Sequence, residues 1–145
     1  MKTAADSSFL VSCYSFDSHS EAAGISLAAS APDLLISPLT VLEVSNALYA
    51  KLFRRIASEA ETRSALQAFR ADIANEALRL VPLPASSWER SRDLAIHYTP
   101  IWGVRSLDIL HVAVALEMKA ESFLTFDAKQ AQLARAEGLL TPLNA

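Results

Sequence analysis

Short apolar runs alternate with helical stretches along this chain, and that alternation restricts the fold more than any other feature. Residues 2–5, 34–36, 80–81, 123–126 and 139–140 read as short strands. Helices are predicted over residues 18–30, 40–52, 58–79, 86–97, 106–119 and 128–137. Pro32 and Asp33 break the first helix, Pro82 and Pro84 close the third strand, Pro100 and Gly103 mark a loop, and Gly138 ends the last helix. In the first helix Ala22, Ile25 and Ala29 share one face; in the long one Ala60, Leu66, Phe69, Ile73 and Leu78 are the expected core contacts. The 106–119 segment is apolar nearly all round, which places it centrally. Short strands joined through helices imply right-handed crossovers and a parallel sheet. The expectation is an α/β fold of three layers, a short parallel sheet flanked by helices on both faces, forming one domain over residues 1–145.

Composition narrows the function classes. Apolar residues make up 52% and charged residues 20%, enough for a core and too apolar for a disordered chain. Three glycines argue against a Gly-rich phosphate loop. The net charge of −3 means that any nucleic-acid contact must come from a local patch, a metal or a basic partner. The lone Cys13 excludes an internal disulfide, and no run approaches the ~20 apolar residues of a membrane span. A soluble, cytoplasmic location is expected.

Asp6, Glu43, Asp108 and Asp127 each fall where a strand hands over to a helix or within the first turns of a helix. Taken singly, each has an ordinary structural explanation. Asp6 can cap a helix starting at Ser7, Thr40 and Glu43 form a T-x-x-E capping box, Asp108 suits the helix dipole, and Asp127 can be an N-cap with Gln130 as its returning partner. Jointly they say more. In a parallel α/β sheet the carboxyl ends of the strands share one crevice, and all four predicted positions lie on that edge. Two carboxylates about 4 Å apart repel by roughly 4 kcal/mol at an effective dielectric near 20. Four together need a cation, and Mg²⁺ or Mn²⁺ suits an all-oxygen site.

Neighbouring residues fit such a site. Ser7, Ser8 and Thr125 can hold a metal-bound water or a backbone amide, and Asn46 can bond Glu43 or a phosphate. Lys51, Arg54, Arg55 and Arg105 are candidate phosphate contacts, with a solvated face as the alternative. His111, one turn past Asp108, is either a base or a core histidine bonded to a backbone carbonyl. No Cys/His spacing points to zinc.

Four stretches carry a resemblance: Asp6-Ser7-Ser8-Phe9-Leu10-Val11, the run from Ser37 to Leu48 with Glu43, Arg105-Ser106-Leu107-Asp108-Ile109-Leu110-His111-Val112-Ala113, and Leu124-Thr125-Phe126-Asp127. In their order and spacing, and in the tail from Leu133 to Leu139, the chain resembles the PIN-domain ribonucleases and, within them, the VapC-like toxins. The one departure is Thr3-Ala4-Ala5, less apolar than the family's usual first strand. The resemblance implies a metal-dependent endoribonuclease, with Asp6, Glu43, Asp108 and Asp127 as its acids. It also implies an RNA substrate, a homodimer and a cognate antitoxin that silences the site. Asp6, Asp108 and Asp127 are then the metal ligands, and Glu43 is a ligand or the group that orients water.

Two rivals stand beside this reading. One is a non-catalytic, partner-binding module of the same build. The other is a Mg²⁺-dependent phosphatase or phosphotransfer domain. Against the latter, position 8 is Ser where a dehalogenase-type site needs an acid, and the acidic pair and downstream Lys of a receiver site are missing.

Overall fold

The computed structural model describes residues 1–30 and 34–144. The expected alternation is realised as β1 Thr3–Ala5, α1 Ser7–Tyr14, α2 Ser20–Ser30, β2 Leu34–Ile36, α3 Pro38–Phe53 and α4 Glu59–Ala74. There follow β3 Arg79–Leu80, α5 Ser87–Trp102, α6 Ser106–Glu117, β4 Ser122–Leu124 and α7 Ala128–Ala136. The four strands form one parallel sheet in the order β3-β2-β1-β4. Registers run Ala4 opposite Leu35 on one side of β1 and Ala4 opposite Phe123 on the other.

The pleat sorts side chains to two faces. Ala5, Leu34, Ile36 and Leu124 join Phe9, Val44, Leu48 and Phe69 in one core, under α1, α3 and α4. Ala4 and Phe123 join Leu94, Val112, Ala113 and Leu133 in the other, under α5, α6 and α7. Leu35 extends that second face against Leu110 and Val114 of α6 and Met118, which caps that helix. This is the expected three-layer arrangement. The weakly apolar first strand is fully buried, because its small residues are covered on both faces and paired on both edges. Every residue of α6 from Asp108 to Ala115 is buried, as its all-round apolarity requires.

Residues 7–14 form α1, the helix starting at Ser7 that Asp6 was able to cap, and Asp6 does cap it. Several local expectations are corrected. On α2 the buried residue is Ala23, while Ile25 is 66% exposed, so the inward face is not the one containing Ala22, Ile25 and Ala29. Pro32 and Asp33 lie outside the described residues. Helix α3 starts at Pro38, with Ser37 as N-cap accepting from the Thr40 amide at 3.4 Å; proline at the first helical position suits this start. The T-x-x-E box at Thr40 is therefore not made, and Glu43 is left free of capping. The box forms at Ser58 and Glu61 instead, opening α4.

Helix α4 ends at Ala74, short of Arg79, and Ala60 on it is exposed. Helix α5 runs through Pro100 to Trp102 and is closed by Gly103 in the left-handed region (φ 60°). Ser86 begins α5 without a side-chain capping bond. Residues 139–140 make only a bridge from Leu140 to Ser122. No helix among the described residues is long and apolar enough to cross a membrane.

Candidate active site

Strand β1 delivers Asp6 to the carboxyl edge of the sheet, and α1 starts immediately after it. The Asp6 backbone is extended (φ −91°, ψ 178°), and its Oδ1 accepts from the Phe9 amide at 3.0 Å. The capping role is real, but it uses only part of the carboxylate. Ser8 Oγ lies 2.7 and 2.9 Å from the two carboxylate oxygens, and Thr125 Oγ1 donates to Oδ2 at 2.7 Å. The two hydroxyls in turn accept the Phe126 and Asp127 amides at 3.0 and 2.9 Å. The end of β1 is thus bolted to the end of β4. Asp6 is 0% exposed, and burial pushes its carboxyl above the ordinary range, against the opposing pull of Thr125, Phe9, Ser8 and the His111 imidazole.

Asp127 is the N-cap of α7 and takes the Gln130 amide on Oδ1 at 2.9 Å. Gln130 does not return its side chain to the cap. Its Nε2 reaches Asp108 Oδ1 at 3.0 Å, and its buried Oε1 has no protein partner. Asp108, in the first turn of α6, receives Arg105 Nε on its other oxygen at 3.2 Å. The Arg105 side chain is 79% exposed and that of Asp108 only 11%, so the pair sits at the mouth of the site, where screening weakens it. From α3, Glu43 Oε1 contacts His111 Nε2 of α6, and its Oε2 lies 3.4 Å from Ser7 Oγ.

All four predicted acids line one cleft of about 470 Å³, together with Ser7, Ser8 and Arg105. Thr125 stands directly behind Asp6. Asp17 brings a fifth carboxylate to the lining against a single arginine, so negative charge dominates it. Among the described residues, no three His, Cys, Asp or Glu side chains stand close enough to enclose a metal ion.

The other expected contacts lie elsewhere. Asn46 is exposed and does not reach Glu43; Ala47 occupies the cleft wall instead. Lys51 turns to Ser15 Oγ at 3.0 Å and Asp17 at 3.8 Å, with its side chain only 12% exposed. Arg54 and Arg55 follow the end of α3, roughly 16 Å along the helix axis from Glu43, and do not line the cleft. His111 is buried against Glu43 and not on a backbone carbonyl. Nothing in the sequence signals that pairing, since 68 residues separate the two. His19 and Asp17, from the α1–α2 loop, also line the cleft; only the tertiary structure brings them there.

Comparison with known proteins agrees with this fold. The family model described as the PIN domain matches residues 4–136, and the chain belongs to the PIN-domain family. Its fold is that of VapC toxins. The sarcin–ricin loop cleaving toxin VapC20 of Mycobacterium tuberculosis superposes with a TM-score of 0.70 at 16% identity, over 95% of this chain and 97% of that one. A toxin–antitoxin complex from Klebsiella pneumoniae gives 0.69 at 20% identity, over 99% and 100%. VapBC2 of Rickettsia felis, bound to a DNA fragment from its promoter, gives 0.68 at 15% identity, over 97% of each chain. No curated protein matches the sequence significantly.

Proposed function

We propose that this chain is a divalent-metal-dependent endoribonuclease that hydrolyses RNA phosphodiesters, and that it is the toxin of a toxin–antitoxin pair. The observation that carries the reading is Asp6, a carboxylate with no solvent exposure and no lysine or arginine on it, placed beside three further acids. Burial makes such a group costly as an anion, and a bound cation offsets that cost. The donor set is all oxygen, which fits Mg²⁺ or Mn²⁺. Asp6, Asp108 and Asp127 would hold the ion, directly or through water. Arg105 now occupies one Asp108 oxygen, but its exposed side chain can swing away. When bound, the ion supplies Lewis acidity towards water and the phosphoryl oxygens.

The chain's own residues do the positioning. Ser8 and Thr125 orient Asp6, Gln130 orients Asp108, and the α7 N-terminus orients Asp127. His111 holds one Glu43 oxygen, leaving the other to orient the attacking water or take its proton. Arg105, once displaced, is the nearest cation for the RNA backbone.

Exposed Leu42, Tyr49 and Phe53 share one face of α3 and offer apolar area for a second copy or for the antitoxin. The reading as a homodimer with a cognate antitoxin, acting on RNA in the cytoplasm, rests on that face and on the toxins whose fold this chain shares.

The spacing of the acids, too wide to enclose an ion in the present arrangement, favours the second reading, a non-catalytic partner-binding module. One experiment separates the two. Mg²⁺ and Mn²⁺ are titrated into wild type and Asp108→Asn, and both proteins are then given a mixed RNA pool. Saturable binding and cleavage in wild type, with cleavage lost in Asp108→Asn, establish the ribonuclease. A folded wild-type protein that binds no metal establishes the module.

A further inference from the structure

The loop between α1 and α2 takes no part in the chemistry above, yet it is tied down from several sides. The Asp17 amide donates to Ser20 Oγ at 2.9 Å, and the His19 amide to Asp17 Oδ1 at 2.8 Å. The Ser12 hydroxyl donates to Asp17 Oδ2 at 2.8 Å, and Ser20 Oγ reaches the Ser15 carbonyl at 3.2 Å. Lys51 completes the knot from α3, on Asp17 and Ser15. Although burial opposes its ionisation, the His19 amide, the Ser12 hydroxyl and Lys51 hold the Asp17 carboxyl below its ordinary range.

What this knot presents is His19. The imidazole lies flat on Phe126, with ring centroids 4.3 Å apart and planes 15° apart. Phe126 meets the fully buried Phe9 at 6.1 Å, so an aromatic column runs from the core to the surface. Phe126 sits between Thr125 and Asp127, and both rings of the outer pair line the acidic cleft. His19 is exposed, with one ring face resting on Phe126. A surface histidine ordinarily pays rotamer entropy to present a fixed plane; here the backbone knot and Phe126 have already fixed it.

We propose that His19, stacked on Phe126, is a platform for one nucleobase of single-stranded RNA next to the scissile phosphate. Histidine and phenylalanine are among the side chains on which unpaired bases stack, and every base has a flat face to offer. Lys51 balances Asp17, the acid that anchors the loop carrying His19. The inference rests on the RNA-cleavage reading of the same cleft and adds a positioning residue to it.

The test uses short single-stranded oligoribonucleotides with 2-aminopurine placed at each position in turn, bound to the full chain carrying Asp108→Asn. Stacking on the platform quenches the fluorophore at one position. The quench is lost when His19→Ala is added and kept with His19→Phe. In the otherwise wild-type chain, His19→Ala raises KM for RNA about tenfold and leaves kcat and the melting temperature unchanged, and His19→Phe restores KM.

Equal quenching and equal KM with and without His19 overturn the platform, as does a loss that phenylalanine does not restore. Should wild type cut no RNA, the ribonuclease reading falls at that step, while quenching still decides the platform. Oligonucleotide binding without the quench, or no binding at all, overturns it. Unchanged RNA data combined with weakened binding of a protein partner would overturn it in favour of a protein-docking role.

Discussion

Asp6→Asn is the substitution that most directly exposes the physics of the site. In the folded chain the Asp6 carboxyl is fully buried, and burial lifts its pKa above the ordinary 3.8 in spite of the bonds from Thr125, Phe9 and Ser8. A raised folded-state pKa means that the native state binds the proton more tightly than the unfolded chain does. Stability is therefore highest at or below pH 3.8 for this group, falls as pH rises through the raised value, and stays reduced above it. For a chain of this length each kcal/mol so lost at neutral pH lowers the melting temperature by roughly 3 °C.

Asparagine keeps an acceptor for the Phe9 amide, and its NH₂ can donate to the Ser8 and Thr125 hydroxyls. The bonds lose their charge assistance, but the desolvated charge is gone. Metal-free Asp6→Asn should thus melt above wild type at pH 7.5, with the gap closing towards pH 4. Mg²⁺ or Mn²⁺ should raise the wild-type melting temperature and leave the variant's unchanged, because a ligand that binds only the native state stabilises it. Scanning calorimetry at pH 4 and pH 7.5, with and without metal, reads all four numbers. A variant that melts lower than wild type by the same amount at both pH values would refute the reasoning, since the carboxylate would then be a net stabiliser needing no cation.

Three further outcomes follow from the geometry. Phe69 is fully buried with its ring edge-on to Tyr14 at 5.4 Å, and Phe69→Ala should cost about 3–5 kcal/mol in urea unfolding. Gln130→Leu removes the amide that holds Asp108 while keeping the bulk, so RNA cleavage should drop by about 10–100-fold with a denaturant midpoint close to wild type. The Cys13 thiol is pushed up to about 12, chiefly by burial, so a disulfide reagent at pH 8 should label it slowly in the native protein and at once in guanidinium.

Much of this arrangement is legible in the residues, element by element. The runs at residues 34–36 and 123–126 are apolar enough to read as buried strands, the second realised as Ser122–Leu124, and the all-round apolarity of α6 places it inside. Asp6 and Asp127 follow strands and precede helices, so chain order alone puts them on one edge. Helix α1 has only the capping position of Asp6 as its sequence signal; it exists because Asp6 caps it and because Phe9 and Leu10 find a core beneath them. The inward face of α2 holds Ala23 and not Ile25, because small alanines spread round a helix leave that choice to its neighbours. Arg54 and Arg55 lie close to Glu43 in sequence, but a straight helix carries them away from it.

The sequence by itself determined which edge of the sheet the acids share. In a parallel sheet every strand delivers its carboxyl end to the same edge, so the position of an acid after a strand is already a position in space. Only the tertiary structure decided what those acids touch. His111 on Glu43, Gln130 on Asp108, Thr125 on Asp6 and His19 on Phe126 are contacts between elements far apart in the chain. They are set by how helices seat on the sheet, and no local pattern records the distance or angle at which two packed surfaces come to rest.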